Sequence, residues 1–389
     1  MKRLLVLFLC TALLAGCAGT SLPTDSTGEH VQQIQYDWMA GESPVSPERT
    51  GSFNNSIGQL QNQFEYTATG SYWMCRGIML YCDHDSDEVI RLCGRPDCAH
   101  KDMTCNAHFS SDAYNVCYHD GYLYVARNTT LIRCKPDGTN REILMDAEEL
   151  TGRGSYGIRS PQIWNGIFSI GLKTLDDNGE ITTDCFYASL DNDDFAMQST
   201  QAFLPIQTDD DQFIVQADAD SGLYRWDPDT GEMTFMTQSF GRHYYGADEA
   251  WYVQNGVIMK LEYDVGEPEV ILDTGISDAN ELYAYPDCLI IASYSDNDSR
   301  PPILYFYNWA FESLGSVTLN YPGSTKAASI PICGETPTRF YLCDNIDYVP
   351  RYYINKADLG SGEITLHKLT IPEDIREKLE ADGTVWGLY

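Results

Sequence analysis

The chain has 389 residues, 43% of them apolar, enough for one large or two ordinary domains around a true core. Its 57 acidic and 25 basic residues give a formal net charge of −32, which repels phosphate backbones and anionic headgroups and argues against any nucleic-acid partner. A surplus of Tyr (26), Phe (14) and Trp (7) together with 31 Gly favours pleated, half-buried surfaces and an all-β fold.

At the N-terminus Lys2 and Arg3 precede an apolar run from Leu4 to Leu14. A charged start, a short hydrophobic segment and small residues after it make a secretory signal over 1–16; the run is too short to stay in a membrane. The tetrapeptide Leu14-Ala15-Gly16-Cys17 resembles the lipobox of bacterial lipoproteins. That resemblance implies lipidation of Cys17, palmitate being the expected kind of acyl chain. The ordinary alternative is a signal peptide that merely ends near a cysteine. Losing the signal removes two cations and no acid, so an anionic envelope would repel the mature body, and the anchor is expected to be lipid rather than electrostatic. Residues 17–64 are rich in Ser, Thr, Gly, Pro, Gln and Asn, too polar to offset the entropy of ordering, and read as a flexible tether. Whether its end, Ile57 to Phe64, joins the fold by completing the last repeat is left open by its weak periodicity.

From 65 to 371 one unit recurs at spacings of roughly forty to fifty residues, the range of propeller blades. Its clearest copy runs from Asn115 to Leu144, with turns at Asp120-Gly121 and at Pro136-Asp137-Gly138 between alternating apolar strands. Further copies centre on Ser71 to Ile90, Gln162 to Ala188, Phe213 to Gly231, Ala250 to Leu272, Leu289 to Tyr307 and Arg339 to Leu366. Asn255-Gly256 and Asp227 to Gly231 repeat the same turn chemistry. Seven units predict a seven-bladed β-propeller, with six or eight blades as the counting alternatives and a pair of β-sandwiches as the rival architecture. In the terminal segment 372–389, Pro372 suits the first turn of a short helix carrying Ile375 and Leu379 on one face.

Between the first two units lie Cys93, Cys98, His100, Cys105 and His108. Thiolates and neutral imidazoles so closely spaced can converge on one tetrahedral zinc, and Cys93, Cys98, His100 and Cys105 would complete a closed structural site. The Pro96-Asp97 turn would fold the loop back. A disulfide, Cys98 with Cys105 or Cys93 with Cys98, is natural in an exported chain. The chain has 13 Cys; setting aside Cys10 in the signal and Cys17 leaves an odd number, so they cannot all pair internally. A third reading makes most of them small buried hydrophobes, as expected for Cys134, Cys185 and Cys288.

The lipobox, the Tyr-rich units, the pattern Cys93-x-x-Pro96-x-Cys98-x-His100 and the following Cys105-Asn106-Ala107 together resemble exported propeller lipoproteins of Gram-positive anaerobes, described as TolB-like or quinoprotein-like propeller domains. The resemblance spans nearly the whole chain. It implies a propeller held outside the cell membrane and no particular reaction.

Enzyme signatures are scarce. Gly152, Gly154 and Gly157 match a dinucleotide fingerprint but lack a strand before and a helix after, so they read as a flexible loop between units. No nucleophile elbow, zinc-protease helix or phosphate loop is present. Acidic runs at 191–194, 209–211, 218–220 and 296–299 read as solvated turns rather than a glycosidase pair or calcium loop. His119 and His243 sit at unit edges, where structural roles are commonplace. Tyr244, Tyr245, Tyr252, Tyr283, Tyr285, Tyr348, Tyr352 and Tyr353 suit either packing between blades or stacking on sugars. The expectation is therefore a lipid-anchored extracytoplasmic module without enzymatic activity, binding a glycan, peptide or protein. The alternatives are a glycan hydrolase or lyase acting in the propeller channel, and a scaffold or sensor subunit of a membrane complex.

Overall fold

The computed structural model describes residues 64–375 apart from short stretches inside that span, the longest being 321–331. The expected signal, Cys17, the tether up to residue 63, His243, Tyr348, most of the acidic runs and the chain after Ile375 lie outside the described residues.

Seven four-stranded sheets follow one another along the chain. They span 64–91, 115–146, 155–200, 204–237, 244–273, 279–318 and 332–368, and are numbered here as blades 1 to 7. In every blade the strands are antiparallel and lie in sequence order, so each sheet is a meander. The chain is a seven-bladed β-propeller. Asp120 (φ 43°) with Gly121 (φ 78°), and Asn255 (φ 52°) with Gly256 (φ 80°), adopt the left-handed pairs that tight hairpins require. At Gly256 a side chain would also run into the backbone carbonyl of Ile276.

The middle strands bury both faces because each blade is covered by the one before and the one after. Tyr72 and Met79 of blade 1 pack with Val116, Leu123 and Val125 of blade 2. Leu131 of blade 2 meets Phe168 and Ile170 of blade 3. Trp251 and Ile258 of blade 5 meet Leu282 and Leu289 of blade 6, and Ile290 and Phe306 of blade 6 meet Phe340 and Leu342 of blade 7. Each such side chain contributes about 1.5–3 kcal/mol relative to exposure, so the junctions between blades are the core. Tyr283, Tyr285 and Tyr353 belong to these junctions, which gives them packing roles.

The ring closes between blades 7 and 1, where Trp73 and Leu80 pack with Tyr341 and Tyr353. Strand Phe64–Tyr66 pairs with Gly70–Cys75 of its own blade 1 and does not complete the last one. Its Phe64 ring lies 5.6 Å from both Trp73 and Tyr341, over Gly334, where a side chain would have no room. On the outer side the chain leaves blade 7 at His367–Lys368 and crosses to blade 1. There the Val89 N–H donates to the Thr370 carbonyl and the Thr370 N–H to the Asp87 carbonyl, both at 2.8 Å. Asp87 also accepts the Tyr353 hydroxyl at 2.8 Å and pairs with Arg339 at 3.2 Å. Helix follows at residues 373–375, and Ile375 is buried beside Trp73, Leu80 and Val89.

One sequence expectation fails here. Ser155–Trp164, which overlaps the glycine-rich stretch read as a flexible loop, is the first strand of blade 3. Its register slips between Arg159 and Gln162, around Pro161, as expected where a residue has no N–H to give a ladder. Among the described residues no helix is long and apolar enough to cross a membrane.

Candidate metal centre

The connector from blade 1 to blade 2 begins after strand Ile90–Arg91 and is pinned to blade 1 on both arms. On the outgoing arm the Leu92 N–H donates to the Met79 carbonyl at 3.0 Å. On the returning arm the Met79 N–H reaches the Ala107 carbonyl and the Phe109 N–H the Gly77 carbonyl, each at 2.7 Å. Cys105, Ala107 and Phe109 are buried on that arm. Between the arms, short turns join Cys98 N–H to Arg95 O at 3.2 Å and Cys105 N–H to Asp102 O at 3.1 Å. The Asp102 carboxylate steadies the second turn by accepting from the Thr104 N–H (2.9 Å) and hydroxyl (2.5 Å). His100 holds a left-handed backbone, φ 50°, uncommon for a residue with a side chain and a local strain that packing must offset.

These turns bring together the four side chains singled out in the sequence. The sulfurs of Cys93, Cys98 and Cys105 and a ring nitrogen of His100 all lie within 4.8 Å of one another. His100 Nδ1 is 3.1 Å from Cys105 Sγ. A tetrahedral zinc, with Zn–S near 2.3 Å and Zn–N near 2.0 Å, sets its donors about 3.5–3.8 Å apart, so small shifts close the group on an ion, the wider pairs drawing in and the His100–Cys105 pair opening slightly. Three thiols and one imidazole form a soft donor set suited to zinc. The group could hold a metal such as zinc. The ten described cysteines are free thiols, and Cys134 and Cys185 are buried on strands as small hydrophobes, while Cys288, expected on a strand, is buried in the turn just before strand Leu289–Ser293. His108 stands apart from the group: its backbone bridges to Ile78, and its Nδ1 accepts the Ser110 N–H at 3.3 Å.

Cations surround the sulfurs. Arg95 donates to Cys98 Sγ at 3.1 Å and to the Thr104 carbonyl at 3.0 Å. A hydrogen bond from the Cys105 thiol, opposed by burial and aided by Arg95, holds Cys93 well below the usual thiol range. The same hydrogen bond and burial push Cys105 up. Burial lowers His100, favouring the neutral imidazole that a metal needs. Burial works against the charge on Arg91, while the neighbouring sulfurs of Cys105, Cys93 and Cys98 favour it. From blade 2, Arg141 donates to the carbonyls of Cys105 (3.0 Å), Asn106 (2.5 Å), His108 (2.7 Å) and Gly138 (3.0 Å). The arginines are what reading by motif missed. Arg91 and Arg95 flank Cys93 and could have been noticed; Arg141 lies 36 residues beyond Cys105 with no local signal.

No family model and no curated protein matches the chain. Solved structures of propeller-like fold align with it at low identity. Dihydro-heme d1 dehydrogenase NirN in complex with DHE is 11% identical over 95% of this chain and 85% of its own, with a TM-score of 0.48. A chain of the mitotic checkpoint complex is 11% identical over 88% of this chain and 100% of its own, with a TM-score of 0.45. The computationally designed Ika8 protein is 12% identical over 82% and 99%, with a TM-score of 0.41. The blade count rests on the seven sheets themselves.

Proposed function

We propose that the protein is a lipid-anchored, extracytoplasmic propeller that binds a glycan, peptide or protein without transforming it, and that Cys93, Cys98, His100 and Cys105 hold a structural zinc. The observation that carries this reading is the closed donor set. Four protein ligands fill a tetrahedral ion, so no position is left for a substrate or an activated water. The most chemically distinctive cluster among the described residues is thus architectural. It fastens a loop to the ring and leaves the blade faces to present side chains to a ligand. Support for the anchor comes from Lys2, Arg3, the run to Leu14 and Leu14-Ala15-Gly16-Cys17.

The test has two arms. Metal analysis of the purified full chain should give one zinc per chain, lost on Cys98→Ser. Expression of the full chain and of Cys17→Ala, followed by fractionation, should place the first in the membrane pellet and release the second. A chain without metal ends the zinc reading, and a pellet unaffected by Cys17→Ala ends the lipid one. A panel of glycans, cell-wall fragments and peptides, screened by thermal shift with product analysis, separates binder from enzyme.

A further inference from the structure

Blades 1 and 7 carry the shortest outer strands of the ring, two residues each at Ile90–Arg91 and His367–Lys368. Blades 2, 4, 5 and 6 have outer strands of five or six residues. The ring therefore closes where its outer layer is thinnest, and two devices make up for the missing strand. One is the metal-site connector. Leu80 and Tyr81 pair with the outer strand, but the free edge at Gly77 and Met79 is covered by Ala107 and Phe109 of the returning arm. The other is the C-terminal segment, which bonds Asp87 and Val89 through Thr370 and buries Ile375 against blade 1.

Arg91 joins the two devices. It forms an ion pair with Asp374 in the C-terminal segment. It stands two residues before Cys93 and in the field of all three cluster sulfurs. Its side chain is only 16% exposed, so its orientation depends on what packs around it. A metal that draws Cys93 on the outgoing arm to Cys105 on the returning arm fixes the backbone from which Arg91 projects.

We propose that the metal centre is the clasp of the ring: metal bound at Cys93, Cys98, His100 and Cys105 holds Arg91 in place to tie the C-terminal segment, and through it blade 7, to blade 1. This rests on the zinc reading above. A site that only tidied a surface loop would leave the distant C-terminus unaffected by the metal. A clasp makes occupancy and closure one equilibrium.

Amide hydrogen exchange on the full chain, zinc-loaded and after chelation, tests the coupling. Removing zinc should speed exchange in peptides covering 367–375 by about tenfold or more, while blade 5 peptides covering 257–273 keep their rates, as expected if a local unit opens rather than the whole ring. Arg91→Gln should bind the same amount of zinc yet show fast exchange at 367–375 with or without it. Asp374→Asn, altered at the other end of the pair and far from the ligands in sequence, should do the same and covers the case in which Arg91→Gln does not fold. If chelation loosens only 92–109 and leaves 367–375 unchanged, the clasp is overturned and the zinc site stands. If the chain carries no zinc, both fall.

Discussion

The guanidinium of Arg141 lies 3.9 Å from the centre of the Phe109 ring, so a side chain from blade 2 caps the connector from blade 1 while bonding its carbonyls. Planar, five-donor arginine can serve several backbone oxygens and an aromatic face together, which lysine cannot. Arg141→Lys and Arg141→Ala should each leave buried carbonyls without donors, at about 2–4 kcal/mol in all. By calorimetry, we expect a fall in Tm of about 3–6 °C for both. A lysine variant as stable as the parent would show that charge alone is what matters at this position.

At the ring closure, Phe64→Ala removes the ring that fills the space between Trp73, Tyr341 and Gly334. Core Phe→Ala changes cost about 3–5 kcal/mol, and Phe64, which is only partly buried, should cost less than that range. A negligible loss would place strand Phe64–Tyr66 outside the cooperative unit. Denaturant titration therefore decides whether the first strand is an integral part of blade 1.

Gly256→Ala combines a left-handed backbone, φ 80°, with a collision at the Ile276 carbonyl. Gly121→Ala shares the left-handed backbone, φ 78°, but meets open space. Both changes should destabilise, the alanine at 256 more, and the difference measured by urea unfolding isolates the cost of the collision from the roughly 1 kcal/mol of the backbone conformation.

Alkaline pH should weaken the fold. Burial pushes the thiols of Cys82, Cys134 and Cys288 from 9.0 up to about 12, and the Tyr81 and Tyr341 hydroxyls from 10.0 up to about 12. A group whose pKa is raised on folding gives its full stabilisation below the unfolded value and loses it as pH climbs towards the folded value. Tm should hold up to about pH 9 and then fall steadily towards pH 12. Cys134→Ala should flatten part of that fall, and an unchanged slope would remove the thiol from the account.

The strands most legible in the sequence were the second and third of each blade. They are covered on both faces and carry continuous or alternating apolar residues, as in Leu289–Ser293 and Tyr122–Ala126. The Asp120-Gly121 and Asn255-Gly256 turns were legible because few other pairs adopt two successive left-handed residues. First strands were harder. Leu204–Asp209 is half polar and Ser155–Trp164 contains Gly157 and Pro161, so neither shows the alternation that marks a strand. The outer strands of blades 1 and 7 are too short to carry any pattern. In the metal centre the ligands stood out because all four come from one loop. The choice between disulfide, metal and neither depends on how that loop turns, and spacing does not contain it. Arg141 belongs to the next blade and could be found only by folding the chain.

Every blade is made from contiguous chain, and among the described residues no strand is exchanged across the closure. For a polypeptide synthesised from its N-terminus, blade 1 is complete once residue 91 has emerged, and each later blade has a finished neighbour on which to settle. The final seal waits for Thr370 and Ile375, which follow the last strand of blade 7. A chain truncated before them would carry all seven sheets and the direct packing of Trp73 on Tyr341, but the outer edge of blade 1 at Asp87 and Val89 would lose its cover.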